Sequence, residues 1–253
     1  MTGSEARVLL AADRTALAKL AAAEIQQTLR RALAVRSSCY VALSGGSTPR
    51  DTYALLASAS SGDRIDWHRI HFFWSDERCV PRTDERSNFR MADEALLSRV
   101  GVPEASIHAM PAQTDDLAAA AEAYAHEIVS FVEPDDQGVP SFDLLLLGLG
   151  ADGHTASILP GSALVDEKHR LVAVSDLERE ATTRLTFTPP LLQHAACAFV
   201  LVVGQDKAEA VHEVLEGAYR PESYPAQLLR SAPSVTWFLD SAAAGRLSMA
   251  TLR

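Results

Sequence analysis

An aspartate and a histidine follow the most apolar segment of the chain. Residues 142–147 read Phe-Asp-Leu-Leu-Leu-Leu, and Gly-Leu-Gly-Ala-Asp152-Gly-His154-Thr comes directly after them. A short apolar run bounded by glycines is typical of a strand buried on both faces of a parallel sheet. Ligands of open α/β sheets bind beyond the carboxyl ends of such strands. Because a histidine beside an acid can exchange protons near neutral pH, Asp152 and His154 are predicted to form an acid–base pair.

A glycine- and hydroxyl-rich loop lies between a predicted strand and a predicted helix. It reads Ser44-Gly-Gly-Ser-Thr-Pro49. The glycines let backbone N–H groups turn toward an anion, the hydroxyls add donors, and the helix N-terminus favours negative charge. The loop lacks the lysine of a nucleotide P-loop, so it is expected to bind a lone phosphate. The alternative is a tight strand–helix turn. The predicted phosphate-binding residues are Ser44, Gly45, Gly46, Ser47 and Thr48.

Charged residues also follow the apolar strand His71–Trp74. Ser75-Asp76-Glu77-Arg78 is either a solvated loop or the wall of a site, and the residues alone leave both open. Arg184 begins a predicted strand, and Lys207 lies in the first turn of a predicted helix. Each cation alone fits a surface charge, but a sugar phosphate would need such groups to pair with its oxygens.

Motifs of other chemistries are incomplete. Gly148, Gly150 and Gly153 match G-x-G-x-x-G, but Pro160 and Gly161 interrupt the long helix that a dinucleotide site requires. His126-Glu-Ile-Val-Ser ends one residue short of the zinc motif H-E-x-x-H, and no G-x-S-x-G elbow occurs. The sequence therefore predicts neither a nicotinamide or flavin site nor a metal.

The composition argues against several classes of binding partner. A net charge of −10 with no basic run argues against nucleic acid and anionic membranes. No segment approaches the ~20 apolar residues of a membrane span, and the first residues lack a signal-peptide layout. Cys39, Cys79 and Cys197 form no C-x-x-C pair and are expected to be reduced thiols of a cytoplasmic protein.

Helix and strand patterns alternate along all 253 residues. This alternation predicts one α/β domain, residues 1–253, with a mostly parallel sheet and helices on both faces. Predicted strands are Cys39–Leu43, Ile70–Trp74, Phe142–Leu147, Leu171–Val174, Arg184–Phe187, Ala196–Val203 and Val235–Leu239. Predicted helices are Thr15–Val35, Pro49–Leu56, Asn88–Arg99 with Ser87 as cap, Asp115–Val132 and Gln205–Gly217.

Together these segments resemble the glucosamine-6-phosphate isomerase/6-phosphogluconolactonase family, on its lactonase side. The resemblance covers about residues 40–240 with the motifs in family order. It rests on Ser44–Pro49, on Trp74–Arg78 with Asn88 downstream, on Gly148–Ser157, on Arg184-Leu-Thr, and on Gly204-Gln-Asp-Lys207-Ala.

The resemblance implies the fold of glucosamine-6-phosphate deaminase and related sugar-phosphate isomerases. It also implies hydrolysis of 6-phosphogluconolactone to 6-phosphogluconate, in the oxidative pentose phosphate pathway, without metal or organic cofactor. It adds Asp76, Glu77 and Asn88 to the expected substrate-binding residues.

Roles follow from the chemistry of lactone hydrolysis. His154 is expected to be the general base, and Asp152 to orient its imidazole. Arg78 is expected to stabilise the developing oxyanion or to fix the sugar, unless it only pairs with Asp76 or Glu77 to shape the loop. The phosphate is assigned to residues 44–48, Arg184 and Lys207. The oligomeric state stays open.

Two rival functions differ from lactone hydrolysis. In a deaminase the turn reads like D-G-H-I-A-F-N-E-P, with a glutamate five residues after the histidine. Leu159 occupies that position here, and Arg78 stands where the deaminase has a tyrosine. Both departures favour the lactonase. Asp152, His154 and the lack of a DNA-binding segment weigh against a catalytically silent sugar-phosphate sensor.

Overall fold

The structure is a computed structural model that describes residues 6–58, 65–175 and 182–252. In these ranges six strands, all parallel, form one sheet in the order β1-β9-β8-β5-β2-β3. Its strands are β1 (Arg7–Ala11), β2 (Cys39–Leu43), β3 (Ile70–Trp74), β5 (Leu144–Gly148), β8 (Ala198–Val202) and β9 (Val235–Asp240). The predicted α/β class with a mostly parallel sheet is confirmed.

Helices alternate with these strands. They are α1 (Arg14–Val35), α2 (Ser47–Ser58), α3 (Asn88–Ala92), α4 (Ser98–Val100), α5 (Leu117–Phe131), α6 (Pro189–His194) and α7 (Ala208–Leu215). A π-helical stretch, Asp93–Leu97, joins α3 to α4, so the predicted helix of residues 88–99 is present in three pieces. No helix in the described parts of the chain is long and apolar enough to span a bilayer.

Strand β5 consists largely of leucines because it is buried on both faces. Leu144, Leu145, Leu146 and Leu147 are each at most 1% exposed, since β5 lies between β2 and β8 inside the parallel sheet. A strand buried on both faces cannot alternate apolar and polar residues. Its carboxyl end therefore delivers the polar residues that follow to a fixed edge of the sheet.

Three loops meet at that edge because their strands are neighbours. The strands β2, β5 and β8 are adjacent and parallel, so their carboxyl ends lie side by side. Residues 44–48 follow β2, residues 149–157 follow β5, and Lys207 lies in a 3-10 turn after β8. Residues 149–157 are called the histidine loop below. The sheet thus assembles residues that are more than 150 positions apart in sequence.

A second sheet corrects the sequence prediction. Asp76–Arg78, for which the sequence left a solvated loop or a site wall open, is not a loop but strand β4, and it pairs antiparallel with β7 (Arg184–Phe187). Strand β6 (Val172–Ser175) completes this sheet in the order β4-β7-β6. The predicted strands Leu171–Val174 and Arg184–Phe187 exist, but they lie outside the parallel sheet. Ser75 joins the two sheets, since its N–H donates to Leu43 and its carbonyl accepts from Phe187.

Local signals were read correctly at some boundaries and wrongly at others. Ser87 caps α3 as predicted, because its hydroxyl accepts from the N–H of Arg90 at 3.2 Å. Pro49 does not open its helix; α2 begins two residues earlier, at Ser47. Strand β1 was not predicted, because its stability depends on distant pairing with β9 rather than on local pattern.

Candidate active site

A cleft of about 260 Å³ lies at the carboxyl edge of the parallel sheet. It collects most of the predicted site residues: Ser44, Gly45, Gly46, Ser47, Thr48, Asp76, Arg78, Asn88, His154, Arg184 and Lys207. Two predicted residues, Asp152 and Glu77, are not among its lining residues. Asp152 contacts His154 from outside the cleft, whereas Glu77 faces away from it.

The acid and the histidine form a direct pair. Asp152 Oδ1 lies 2.7 Å from His154 Nδ1 and also accepts the backbone N–H of His154 at 3.2 Å. The histidine hydrogen bond is the largest cause that lowers the pKa of Asp152 to about 2, so this carboxylate is ionised at neutral pH. An ionised carboxylate only accepts, which places the proton on Nδ1 and leaves the Nε2 lone pair available as a base.

Gly150 makes this pairing possible. A Cβ at Gly150 would lie 2.1 Å from His154 Nδ1 and 2.4 Å from Asp152 Oδ1. Only a residue without a side chain lets the two groups close over the backbone of the loop. Gly150 therefore serves the acid–histidine turn rather than a dinucleotide fingerprint.

The loop after β2 presents donors to the cleft. Ser47 and Thr48 form the first turn of α2, whose N-terminus carries unpaired N–H groups and partial positive charge. Ser44 lies at the start of this loop and is 4% exposed. Its buried Oγ has no hydrogen-bond partner among the described residues. A buried hydroxyl that borders a cleft is able to donate to a group bound there.

Two arginines face each other across the small sheet. Arg78 and Arg184 occupy directly opposite positions of β4 and β7, and both line the cleft. The N–H of Cys79 donates to the carbonyl of Thr183, so Cys79 and Thr183 are a hydrogen-bonded pair of the antiparallel ladder. Because hydrogen-bonded and non-hydrogen-bonded pairs alternate, Arg78 and Arg184 form the next pair, which is non-hydrogen-bonded and has the closer side chains. Like charges in this position repel and destabilise the sheet unless an anion lies between them. Both guanidinium groups therefore border the same cleft.

Asp76 and Asn88 connect the arginine pair to the loop after β2. The Asn88 amide donates to the Asp76 carbonyl at 2.9 Å and to Asp76 Oδ1 at 3.2 Å. Gly45 lies against the same amide, because a Cβ there would come within 1.8 Å of Asn88 Oδ1. Asn88 therefore fixes the distance between these two parts of the cleft.

Glu77 points to the opposite face of β4, as strand alternation requires. Its carboxylate accepts the backbone N–H groups of Arg78, Asn88 and Phe89 at 2.7–2.8 Å, and the Ser87 hydroxyl at 3.2 Å. Burial raises the pKa of Glu77, while these N–H donors act against that shift. Its geometry supports a role in holding the start of α3, rather than the predicted contact with substrate.

Replacing Glu77 by glutamine should lower the free energy of unfolding by about 1–3 kcal/mol. Glutamine offers one acceptor oxygen, so its NH2 group would face a backbone N–H donor. Thermal unfolding of Glu77→Gln measures the loss, and Glu85→Gln, an exposed change in the same loop, is the matched control. Equal stability of the two variants would show that Glu77 does not brace α3.

The sequence analysis did not identify residues 222–226, which contact the histidine loop and the residues that follow it. Tyr224 packs on Gly153, where a Cβ would meet the ring at 2.6 Å. The N–H of Ala226 donates to the carbonyl of Gly153, and the N–H of Gly161 donates to the carbonyl of Glu222. These contacts join segments about 70 residues apart. No local sequence pattern predicts these long-range contacts.

The fold and the cleft define an α/β protein with an aspartate–histidine pair and a cleft lined by cationic side chains at the carboxyl edge of its parallel sheet. The family model described as "Glucosamine-6-phosphate isomerases/6-phosphogluconolactonase" matches residues 12–237. The chain belongs to this family.

Relatives of known name align with most of the length of this chain. The 6-phosphogluconolactonase of Synechocystis is 38% identical over 87% of this chain and 89% of its own length. That of Streptomyces coelicolor is 37% identical over 93% of this chain and 92% of its own length. The solved 6-phosphogluconolactonase from Trypanosoma brucei superposes with a TM-score of 0.87 at 28% identity, covering 98% of this chain and all of that one.

A deaminase shares the fold as well. A monomeric glucosamine-6-phosphate deaminase superposes with a TM-score of 0.79 at 22% identity, over 94% of this chain and 99% of its own. At that identity the likeness shows the fold alone. The choice between the two chemistries therefore depends on the residues in the cleft.

Proposed function

We propose that this chain hydrolyses 6-phospho-D-glucono-1,5-lactone to 6-phospho-D-gluconate, in the oxidative pentose phosphate pathway, as a single α/β domain. The observation that carries the proposal is the shared cleft. His154, paired with Asp152, and two opposed arginines line or border one cavity. A phosphorylated lactone needs both a base for water and cations for its charges.

His154 is the general base of this reaction. Its Nε2 removes a proton from water as the water oxygen attacks the lactone carbonyl carbon. Asp152, ionised and 2.7 Å from Nδ1, stabilises the imidazolium that results. The tetrahedral intermediate then collapses, the bond between C1 and the ring oxygen breaks, and the imidazolium returns its proton to that oxygen. The product is the open carboxylic acid with a free 5-hydroxyl, and this acid releases its proton to water to become the carboxylate.

Arg78 stabilises the oxyanion. Its Nη1 donates to the carbonyl of Arg86 at 2.5 Å, which anchors the guanidinium. The Nε atom is buried and has no hydrogen-bond partner in the described part of the chain. A held guanidinium with a free donor suits charge that appears only in the transition state. Among the described residues the Arg78 guanidinium bonds to the Arg86 carbonyl and not to the carboxylates of Asp76 or Glu77, which favours this role over pairing with either acid.

The 6-phosphate is bound by the loop after β2 with Arg184 and Lys207. Ser44, Gly45, Gly46, Ser47 and Thr48 supply hydroxyl and backbone donors at the start of α2, and the two cations supply charge. Lys207 Nζ lies 3.5 Å from the exposed Asp206 carboxylate, a weak surface pair that a phosphate can replace.

Leu159 separates this site from that of a deaminase. It is 2% exposed and lies within the core beyond the histidine loop. A buried leucine cannot transfer protons, so the acid–histidine–acid relay of the deaminase pattern cannot form here. Lactone hydrolysis needs one base, one oxyanion donor and a phosphate site.

Replacing Arg78 by lysine should lower kcat by about 10–100-fold with little change in thermal stability. Lysine keeps the charge but loses the planar fork that reaches two partners. Turnover and melting temperature are measured on the same preparation, with Arg99→Lys, an exposed change, as control. A lower melting temperature with unchanged kinetics would instead assign Arg78 to the shape of the loop.

Two substrates test the proposed function. Wild-type protein is assayed with 6-phosphogluconolactone and with unphosphorylated gluconolactone, and spontaneous opening is subtracted for each. The phosphorylated lactone should have the higher kcat/KM by about two orders of magnitude, since hydrogen bonds to charged groups contribute about 1.5–3 kcal/mol each. Equal use of both lactones would contradict the phosphate site.

A further inference from the structure

Ser157 lies at the junction of the histidine loop and the small sheet. It is fully buried, three residues after His154. Its N–H donates to Thr186 Oγ1 at 3.0 Å, and its carbonyl accepts from Ser175 Oγ at 2.6 Å. Its hydroxyl donates to Asp76 Oδ2 at 2.7 Å and accepts from Arg184 Nη1 at 3.4 Å. One serine therefore contacts all three strands of the small sheet.

The hydroxyl of Ser157 has a separate task from its backbone. The bonds to Thr186 and Ser175 use the backbone N–H and carbonyl, so they remain when the hydroxyl is removed. The hydroxyl alone bridges Asp76, a residue 6% exposed, and the guanidinium of Arg184. It is the only side-chain oxygen of the histidine loop with such a bridge among the described residues.

The backbone next to Ser157 is strained. Ala156 lines the cleft and is the one residue other than glycine with a positive φ, +47°, in the described part of the chain. Its neighbours are both anchored, since the Thr155 hydroxyl donates to the Gly148 carbonyl and Ser157 is tied to the small sheet. A non-glycine residue in this region persists only where its surroundings over-determine it. The anchors thus hold the loop in a fixed register against the arginine face.

The contacts continue to the opposite side of the cleft. Asp76 receives Ser157 on Oδ2 and Asn88 on Oδ1, and Asn88 packs on Gly45. A chain of direct contacts therefore runs from Arg184 through Ser157, Asp76 and Asn88 to the loop after β2. Its two ends are the two parts of the proposed phosphate site.

We propose that Ser157 is a positioning residue for substrate phosphate: its hydroxyl sets the Arg184 guanidinium and the Asp76–Asn88 bridge at the spacing that a phosphate requires. The inference rests on the proposed function, because it assigns Ser157 to the phosphate end of that same cleft. Ser157 does not touch the substrate; it acts through Arg184 and Asp76.

The test compares phosphate affinity with fold stability in Ser157→Ala. Binding of inorganic phosphate is measured by calorimetry at fixed ionic strength, and kcat and KM are measured for both lactones. We expect phosphate affinity and kcat/KM for the phosphorylated lactone to fall about tenfold, mostly through KM, since a hydrogen bond to a charged group is lost. With unphosphorylated gluconolactone, kcat/KM should change less than about twofold.

Two further variants separate positioning from structure. Ser157→Thr keeps the hydroxyl and should restore phosphate affinity. Thr188→Val removes another fully buried hydroxyl, one that donates to the Leu171 and Arg170 carbonyls, and should lower stability without changing phosphate affinity. If Ser157→Ala does not fold, Ser157→Cys replaces it, because the thiol is a weak donor of similar size.

The outcomes distinguish the two proposals. Wild-type phosphate affinity in a folded Ser157→Ala or Ser157→Cys variant would overturn the role of Ser157 and leave the proposed function standing. An equal loss with both lactones would also overturn it, because that result describes a general loss of active protein. If the wild type itself neither binds phosphate nor prefers the phosphorylated lactone, the proposed function fails first.

Discussion

Replacing His154 by alanine is expected to lower kcat for lactone hydrolysis by about 10²–10⁴-fold, the usual contribution of a general base. The imidazole lines the cleft, and no other imidazole is found among its lining residues. Stability should change little, because the ring is 29% exposed and contacts mainly Asp152. His126→Ala, an exposed change on α5, is the matched control and should keep wild-type turnover. Near wild-type activity of His154→Ala, after the spontaneous rate is subtracted, would refute the assignment.

The pH profile supplies an independent check on the same pair. The pKa of Asp152 is lowered to about 2, so this carboxylate stays ionised as pH falls from 7 to 4. Asp152 itself therefore contributes no titration to the pH profile in that range. A limb of the kcat/KM profile between pH 4 and 7 that belongs to Asp152 and disappears in Asp152→Asn would contradict this ionisation state. Asp152→Asn should keep the ring in place but lower kcat about 10²–10⁴-fold, by favouring the wrong tautomer.

Removing the cations of the phosphate site should produce the second large effect. Arg184→Ala and Lys207→Ala are each expected to raise KM for 6-phosphogluconolactone about 10–100-fold, since each removes a charge-assisted hydrogen bond. A smaller fall in kcat accompanies this where remote binding energy positions the lactone. With the unphosphorylated lactone both variants should behave as wild type.

A surface change controls for net charge. Lys19→Ala, exposed on α1, alters the charge of the protein by the same amount as Lys207→Ala without touching the cleft. If Lys19→Ala raises KM as much, the effect is long-range steering of an anion rather than a contact. If neither cation variant discriminates between the two lactones, the phosphate is bound elsewhere.

The sequence predicted the parallel sheet and the two loops with local signals. The leucines of β5 and the glycines that follow Leu43 and Leu147 mark the ends of buried strands, and parallel pairing brings those ends together. His154 and Ser44 could be assigned in this way because strand, turn and polar residue are contiguous. Their contact with the same cleft follows from the order of the strands.

The small sheet could not be predicted in the same way. Asp76-Glu77-Arg78 has a low strand propensity and exists as β4 because residues more than 100 positions later pair with it. Once β4 is known, alternation places Asp76 and Arg78 on the cleft face and Glu77 on the other. Which of the two acids faces the cleft, Asp76 or Glu77, therefore depends on tertiary structure and could not be predicted from local sequence. Ser157 was missed for the same reason, since its partners lie on β4, β6 and β7.

One measurement tests the central claim most directly. Purified protein is incubated with enzymatically generated 6-phosphogluconolactone and, in parallel, with glucosamine 6-phosphate. Formation of 6-phosphogluconate above the spontaneous rate is followed in the first reaction, and formation of ammonia and fructose 6-phosphate in the second. We predict fast lactone hydrolysis and no ammonia, because Leu159 cannot replace the missing acid of the deaminase pattern. Stoichiometric ammonia and fructose 6-phosphate, with lactone opening no faster than in buffer, would contradict the proposed function while leaving the fold and the anion-binding cleft in place.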